Sequence, residues 1–214
     1  MAVNRIAVID YGMGNLHSVA SALKKVAPEA EVIVTADPQV VAAADRVVFP
    51  GVGAIRDCMA ELKNRGLDEI VQEVAATKPL LGICVGMQLM ATRGLEKQTT
   101  SGLGWIAGDV VEMLPQDETL KIPQIGWNTL TVQQPHPLLD GIELGDNGLH
   151  AYFVHSYHMA VTNDAHRLAH VDYAGDVTAI IGRDTMLGMQ FHPEKSAAAG
   201  LTLLKNFLEW NGQC

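Results

Sequence analysis

The chain has 214 residues, of which 48% are hydrophobic and 18% are charged, and its formal net charge at pH 7 is −9. This length and composition predict one globular domain with a well-buried core, and they exclude a disordered or low-complexity chain. The negative charge argues against general binding to nucleic acid or to an anionic membrane surface.

The first half of the chain alternates between apolar and amphipathic segments. The apolar segments predict four buried strands, at "RIAVID", "EVIVT", "RVVF" and "PLLGIC". The amphipathic segments predict helices at "NLHSVASALKKV", at "PQVVAAA", from about Ile55 to Gly66, and at "LDEIVQEVAATK". Asp37 and Pro38 suit the N-cap and the first position of the second helix. Apolar strands that alternate with helices predict a parallel sheet covered on both faces.

From Gly102 to Gln190 the pattern changes to short strands and turns. The clearest of these strands are "DVVEML", "NTLTVQ", "AYFVHSYHMAV" and "TAIIG", which predict antiparallel additions to the sheet. The last helix, "AAAGLTLLKNFLEWN", places Leu201, Leu204 and Leu208 toward the core. The predicted fold is therefore α/β, with an open, mainly parallel twisted sheet flanked by helices and extended by antiparallel strands.

A cysteine stands at the end of the fourth predicted strand, in "LLGICVGMQ". Ligand sites of open parallel sheets gather at such strand ends, and "VGMQLMAT" directly afterwards predicts a helix. Gly82 and Gly86 lie two positions to either side of Cys84, which is the steric pattern of a nucleophile elbow with sulfur in place of oxygen. The helix N-terminus also favours the thiolate. On this motif alone, an inert buried thiol explains the sequence equally well.

The segment "GMQFHPEKS" supplies the groups that a thiol nucleophile needs. His192 follows an apolar strand, and Glu194 lies on the same side of an extended chain two residues later. Pro193 fixes one torsion and biases His192 toward extended geometry. Alone, "HPE" is more often an ordinary turn, but together with the cysteine elbow this spacing predicts a general base held in place by a carboxylate.

A glycine loop, "FPGVG" at residues 49–53, ends the third predicted strand. Glycines at this point let backbone N–H groups approach a ligand closely, as an oxyanion hole requires. A phosphate loop is disfavoured because neither G-x-G-x-x-G nor the P-loop lysine is present.

Together these motifs resemble the class I (triad-type) glutamine amidotransferases over nearly the whole chain. The segments "IDYGMGNLHSV", "PGVGA", "GICVGMQLM", "IGWN", "YFVHSYH" and "QFHPEKS" resemble in particular the glutaminase subunits of imidazole glycerol phosphate synthase, in histidine biosynthesis. The resemblance implies one amidotransferase domain over residues 1–214 that hydrolyses L-glutamine through a thioester without a cofactor. It also implies a heterodimer with a (β/α)₈-barrel cyclase subunit, which receives the ammonia and makes imidazole glycerol phosphate and the aminoimidazole carboxamide nucleotide.

The resemblance assigns roles to individual residues. The catalytic triad is Cys84, His192 and Glu194, and the oxyanion is held by the amides of Val52 and Val85. The substrate pocket comprises Gly51, Gly53, Gln88, Glu96, Ser156 and Tyr157. The residues near the cyclase interface are Trp127, Asn128, Tyr152 and Lys195.

Three positions depart from the family pattern. Leu95 stands where many relatives carry a second acidic residue beside Glu96, which weakens the assignment of the substrate pocket. His158 replaces a commoner aromatic residue, and Ile55 replaces a usual phenylalanine. None of these changes touches the predicted triad.

Three other functions compete with this interpretation. An amidotransferase subunit for another acceptor, such as pyridoxal phosphate or anthranilate synthesis, is disfavoured by "YGMGN" and "IGWN". A non-catalytic scaffold that binds a partner would not need Cys84, His192 and Glu194. A cysteine hydrolase or peptidase of similar topology would need neither Gln88 nor a partner.

The cysteines and the N-terminal sequence bear on location. Three cysteines (Cys58, Cys84 and Cys214) are too few for a disulfide framework and indicate a reducing compartment. "MAVNRIAVID" lacks the features of a signal peptide, and the apolar stretch near Cys84 is too short to span a bilayer. The chain is thus predicted to be cytoplasmic. His155 and His158 have a possible metal-ligand spacing, but no Cys or carboxylate set completes a site, so no metal is expected.

Overall fold

A computed structural model describes residues 4–114, 116–117, 119–143, 148, 150–173 and 175–213. Cys214 lies outside the described residues. The elements are β1 (Arg5–Ile9), α1 (Leu16–Val26), β2 (Glu31–Thr35), α2 (Pro38–Ala43), β3 (Arg46–Gly51), α3 (Ile55–Asn64), α4 (Asp68–Thr77), β4 (Leu80–Cys84), α5 (Val85–Gln88), β5 (Arg93–Gly94), β6 (Thr100–Ser101), β7 (Gly108–Glu112), β8 (Gln124–Thr129), β9 (Thr131–Val132), β10 (His150–His155), β11 (Tyr157–Val161), β12 (Arg167–Asp172), β13 (Asp176–Arg183), β14 (Met186–Met189) and α6 (Ala197–Glu209).

The core of the molecule is an eight-stranded sheet in the order β2-β1-β3-β4-β14-β13-β12-β9. The first five strands in this order are parallel to one another. The remaining three, β13, β12 and β9, pair in antiparallel fashion. The predicted fold, a mainly parallel sheet with antiparallel additions, is therefore confirmed, and the first four strands lie close to their predicted positions.

Some of the short strands do not join this sheet. The strands β8 and β10 form one small sheet, and β6, β5, β7 and β11 form another. The segment "AYFVHSYHMAV", predicted as a single strand, divides at Ser156 between these two sheets. The Ser156 carbonyl accepts a hydrogen bond from the Met113 amide at the point where the chain crosses over. The strand β12 was not predicted.

The helix after Cys84 is shorter than predicted, ending at Gln88 rather than continuing through "LMAT". After the end of α5, the amides of Met90 and Ala91 donate hydrogen bonds to the carbonyls three residues earlier, so the chain continues as tight turns instead of an α-helix. The carbonyls of Leu89, Met90 and Ala91 then accept hydrogen bonds from the loop at residues 103–106. This loop satisfies the carbonyls that a longer helix would have used.

The sheet places three strand ends side by side. β4 pairs with β3 on one side, where Gly51 lies opposite Cys84, and with β14 on the other. The glycine loop, the cysteine and the segment leading to His192 therefore meet at one edge of the sheet, as expected for a ligand site in this architecture. None of the helices in the described ranges is long and apolar enough to cross a bilayer.

Candidate active site

Cys84 occupies a strained turn between β4 and α5. Its φ of 55° and ψ of −115° lie in a region that side chains rarely adopt. A Cβ on Gly86 would overlap the carbonyl oxygen of Phe49 in β3 and lie 2.9 Å from its carbonyl carbon. A Cβ on Gly82 would lie 2.7 Å from the carbonyl oxygen of Gly86. The two glycines thus allow the turn to pack on β3 while the cysteine sits at its apex.

His192 and Glu194 form a buried pair beside the cysteine. The Nδ1 atom of His192 lies 2.9 Å from Oε1 of Glu194, and the Glu194 side chain has no exposed surface. The same Oε1 accepts a hydrogen bond of 3.2 Å from Nδ2 of Asn15. The short turn at Pro193–Lys195 gives the pair this geometry. Asn15 was not predicted as a site residue, although "YGMGN" marked its loop.

His192 also interacts with Cys84, and both residues line one cavity. Burial alone would lower the pKa of His192, but the interactions with Cys84 and Glu194 outweigh it and raise the pKa to about 9. The structure therefore brings the sulfur, the imidazole and the carboxylate together. Their catalytic roles stay a prediction.

A cavity of about 330 Å³ opens onto Cys84 and His192. Among the residues that line it are Cys84, His192, Val52, Val85, Gly53, Gln88, Glu96, Ser156 and Tyr157. Gly51 is the one predicted pocket residue that does not line it. A Cβ on Gly51 would lie 2.6 Å from the amide nitrogen of Gly86, so its observed part is to let β3 and α5 pack closely.

The two predicted oxyanion residues border the cavity in different settings. Val85 is the first residue of α5, so no earlier turn of that helix offers its N–H an acceptor. Val52 follows β3 in the glycine loop, where its carbonyl accepts a hydrogen bond of 3.3 Å from the Cys58 thiol. Burial raises the pKa of Cys58 to about 11, so this second thiol stays protonated and acts as a donor.

Gln88 has both hydrogens of its side-chain amide engaged inside the protein. Nε2 donates to the carbonyl of Tyr157 at 2.9 Å and to Oε1 of Gln190 at 3.0 Å. Gln88 therefore offers a ligand its oxygen. Gln190 was missed in the sequence, although it stands in "QFHPEKS" two positions before His192.

His155 is a further cavity residue that was not predicted. Its Nδ1 lies 2.9 Å from the Tyr157 carbonyl, and burial lowers its pKa to about 4. The ring is thus neutral near pH 7, with Nδ1 as the donor. The buried Nε2 has no partner among the described residues, which leaves it as an acceptor.

Three of the four predicted interface residues form one surface patch. Trp127 in β8 is 52% exposed and pairs across the strands with Tyr152, the two ring centroids being 5.7 Å apart. The Nζ atom of Lys195 lies 5.8 Å from the centroid of the Tyr152 ring. We call these three residues the aromatic patch. Asn128 is not part of it, because its side chain donates to the carbonyl of Asp172.

The raised pKa of His192 predicts a pH-dependent stability. A folded-state pKa of about 9, above the ordinary 6.5, means that the folded state holds the proton more tightly. This stabilisation is complete below pH 6.5 and is lost as pH rises to about 9. We expect the free energy of unfolding in urea to fall over this range and Glu194→Gln to flatten the slope.

The matched control is His17→Gln, at an exposed position of α1, which should keep the wild-type slope. Equal slopes in wild type and Glu194→Gln would contradict this account of the pair.

Sequence comparison identifies the family. A family model described as "Glutamine amidotransferase class-I" matches residues 7–210. The chain belongs to the class-I glutamine amidotransferase family, which confirms the resemblance seen in its motifs. It is 56% identical over 218 residues to a Brucella suis protein named imidazole glycerol phosphate synthase subunit HisH, covering 96% of this chain and 99% of that one. A protein of the same name from Agrobacterium fabrum is 56% identical over 213 residues, with coverage of 96% and 99%.

Solved structures support the fold. A structure of PurLQS from Thermotoga maritima matches with a TM-score of 0.72 at 17% identity, covering 97% of this chain and 98% of that one. The glutaminase domain of Trypanosoma brucei CTPS, solved with bound acivicin, matches with a TM-score of 0.62 at 14% identity, covering 99% and 97%. Within the described residues, no group of three or more His, Cys, Asp or Glu side chains is arranged to hold a metal ion.

Proposed function

We propose that this chain is the glutaminase subunit of an imidazole glycerol phosphate synthase in histidine biosynthesis. Its relatives in Brucella and Agrobacterium carry the HisH name at 56% identity over nearly the whole chain, which favours this acceptor over other synthases. The catalytic part of the proposal rests on one observation: Cys84, His192 and Glu194 are buried close together beside an open cavity. A single domain over residues 1–214, located in the cytoplasm, is part of the proposal.

The reaction begins with Cys84 as the thiolate and His192 as the imidazolium that holds its proton, because the raised pKa of His192 keeps the ring protonated near pH 7. The sulfur attacks the carboxamide carbon of glutamine, and the amides of Val52 and Val85 hold the developing oxyanion. Glu194 keeps Nδ1 of the imidazole occupied, so Nε2 handles the proton. His192 then protonates the leaving ammonia. Water, deprotonated by the same imidazole, hydrolyses the thioester to glutamate and restores the thiolate and the imidazolium.

The cavity has the size and polar groups to hold L-glutamine. A volume near 330 Å³ suits one amino acid, and its wall carries the carboxylate of Glu96 and the oxygen of Gln88. Both are acceptors, as the ammonium and amide groups of glutamine require. The backbone at Ser156 and Tyr157 lies at the crossing between β10 and β11, where the chain leaves one sheet for the other.

The partner we propose is the (β/α)₈-barrel cyclase subunit, docked on the aromatic patch in a heterodimer. An exposed Trp that packs on a half-buried Tyr is typical of an interaction surface. Ile125, which is 62% exposed and two residues before Trp127 in β8, extends the apolar part. The patch lies next to the site, since the Tyr152 carbonyl accepts a hydrogen bond of 3.0 Å from the His192 amide. Ammonia released there would pass to the cyclase shielded from water.

A glutaminase assay with and without the cyclase tests this function. We expect little turnover by the isolated chain. With the cyclase, the turnover rate should rise on the order of a hundredfold, which is the factor that one oxyanion-hole donor contributes to kcat. The reason is that a Gly-Val-Gly backbone can turn an amide inward at small cost once the partner favours that conformer. Fast turnover without any cyclase would refute the activation, and no turnover with it would refute the function.

The same assay with Trp127→Ala tests the interface. This variant should need a higher cyclase concentration for half-maximal activity, because a central aromatic residue contributes strongly to binding. Val34→Ala, another exposed apolar residue but on the edge strand β2, is the control and should behave as wild type. Equal cyclase titrations for both variants would place the interface elsewhere.

A further inference from the structure

Gln190 is a buried amide that lies next to the proposed nucleophile. It has no exposed surface, and it follows β14 directly. Its backbone amide bonds to the carbonyl of Ala179, which fixes its place on the sheet. A buried primary amide needs partners for both its oxygen and its NH₂ group. Its partners therefore determine what the side chain can do.

The orientation of this amide is set by a chain of hydrogen bonds that begins at a backbone carbonyl. The Tyr157 carbonyl can only accept, so the end of Gln88 that faces it must be the NH₂ group. The same Nε2 of Gln88 donates to Gln190, so the atom that faces it must be the oxygen of Gln190. The NH₂ group of Gln190 is left pointing at the Cys84 sulfur, with Nε2 at 3.9 Å from Sγ.

We propose that Gln190 is a further catalytic residue, whose side-chain amide donates a hydrogen bond to the Cys84 sulfur and stabilises its thiolate. This inference rests on the proposed function. A hydrogen bond from an amide to a thiol is weak, and it strengthens when the sulfur carries a negative charge. The interaction therefore favours the ionised state that attacks glutamine.

The position of Gln190 relative to His192 supports this role. The two residues stand on either side of Phe191, which is buried in the core, and both of their side chains interact with Cys84. His192 receives the thiol proton, and Gln190 supplies a neutral donor that loses no proton itself. The sulfur is thus held by two groups, and both lie in "QFHPE".

The pH dependence of Cys84 alkylation tests the proposal. Iodoacetamide is added to the wild-type chain and to Gln190→Met and Gln190→Glu, and adducts on Cys84 are quantified by peptide mass spectrometry. Methionine keeps the volume without a donor, and glutamate puts an oxygen where the NH₂ group was. We expect alkylation at pH 7 to slow about tenfold in Gln190→Met and further in Gln190→Glu, with both profiles shifted to higher pH.

The matched control is Thr178→Val, a buried polar residue of β13, a strand that β14 separates from the cysteine's strand β4, and this variant should keep the wild-type profile. Thermal unfolding of each variant shows that the chain is folded. With the cyclase present, Gln190→Met should lower kcat for glutamine by a similar factor and change KM less. Folded Gln190 variants with a wild-type alkylation profile, or an equal shift in Thr178→Val, would overturn the proposal.

The assay also separates this inference from the proposed function. Alkylation is measured without glutamine and without a partner, so a shifted profile stands even if the chain serves another acceptor. If the wild-type complex hydrolyses glutamine as expected but the alkylation profiles of the Gln190 variants do not shift, then the role of Gln190 is wrong and the proposed function stands.

Discussion

Cys84→Ala should reduce glutamine hydrolysis in the cyclase complex by at least about a thousandfold, because loss of the nucleophile removes covalent catalysis altogether. The variant should fold and bind the cyclase, since alanine is smaller than cysteine and keeps the same strained backbone. Cys58→Ser is the matched control: it changes a second buried cysteine and retains a donor for the Val52 carbonyl, so most of the activity should persist. Steady-state assays of both variants decide the question, and substantial turnover by Cys84→Ala would contradict the triad.

Ammonium salts provide the second arm of this experiment. If the chain only delivers ammonia, then ammonium added from solution should restore product formation by the cyclase in the Cys84→Ala complex. Absence of product, with the wild-type complex active under the same conditions, would contradict the delivery role.

Gly86→Ala should destabilise the protein by at least about 4 kcal/mol or prevent folding, an effect at the upper end for one substitution. The new Cβ would overlap the Phe49 carbonyl oxygen, and that oxygen belongs to backbone rather than to a movable side chain. β3 has no room to shift, because Phe49 is paired with Gly82 in β4. The strained cysteine turn therefore depends on this glycine.

Gly66→Ala is the control for this substitution. Gly66 has a φ of +65°, but a Cβ added to it would meet no atom of the described residues within 4 Å. Alanine there costs only backbone strain, about 1 kcal/mol. Urea unfolding of both variants gives the comparison. Equal destabilisation would show that strain, and not the collision with β3, explains the glycine at position 86.

The turn at Cys84 and the contact between His192 and Glu194 could be predicted because their requirements are local, while their catalytic roles stay a prediction. The elbow at Cys84 needs small neighbours at fixed positions, and the pairing of His192 with Glu194 needs a spacing of two, so both leave a pattern in the sequence. Side chains alternate between the two faces of a strand, so an outward Trp127 in β8 implies that Asn128 faces the other way. This alternation could have shown in the sequence that Asn128 does not belong to the aromatic patch.

What the sequence did not reveal depends on distant packing. The Tyr157 carbonyl orients His155 directly and Gln190 through Gln88, and this carbonyl lies where β10 and β11 separate at Ser156. The helix after Cys84 ends early because the loop at residues 103–106 binds its carbonyls. Periodicity within a segment carries no information about such partners, so these features appeared only in three dimensions.

The central claim is that one sulfur in this molecule attacks the carboxamide of glutamine. Its most direct test is reaction of the cyclase complex with a glutamine analogue that carries a chloroketone in place of the amide, followed by peptide mapping. We predict one adduct per chain, on Cys84, whose formation excess glutamine prevents and whose appearance parallels the loss of glutaminase activity. An adduct on Cys58, or loss of activity with Cys84 unmodified, would contradict the claim.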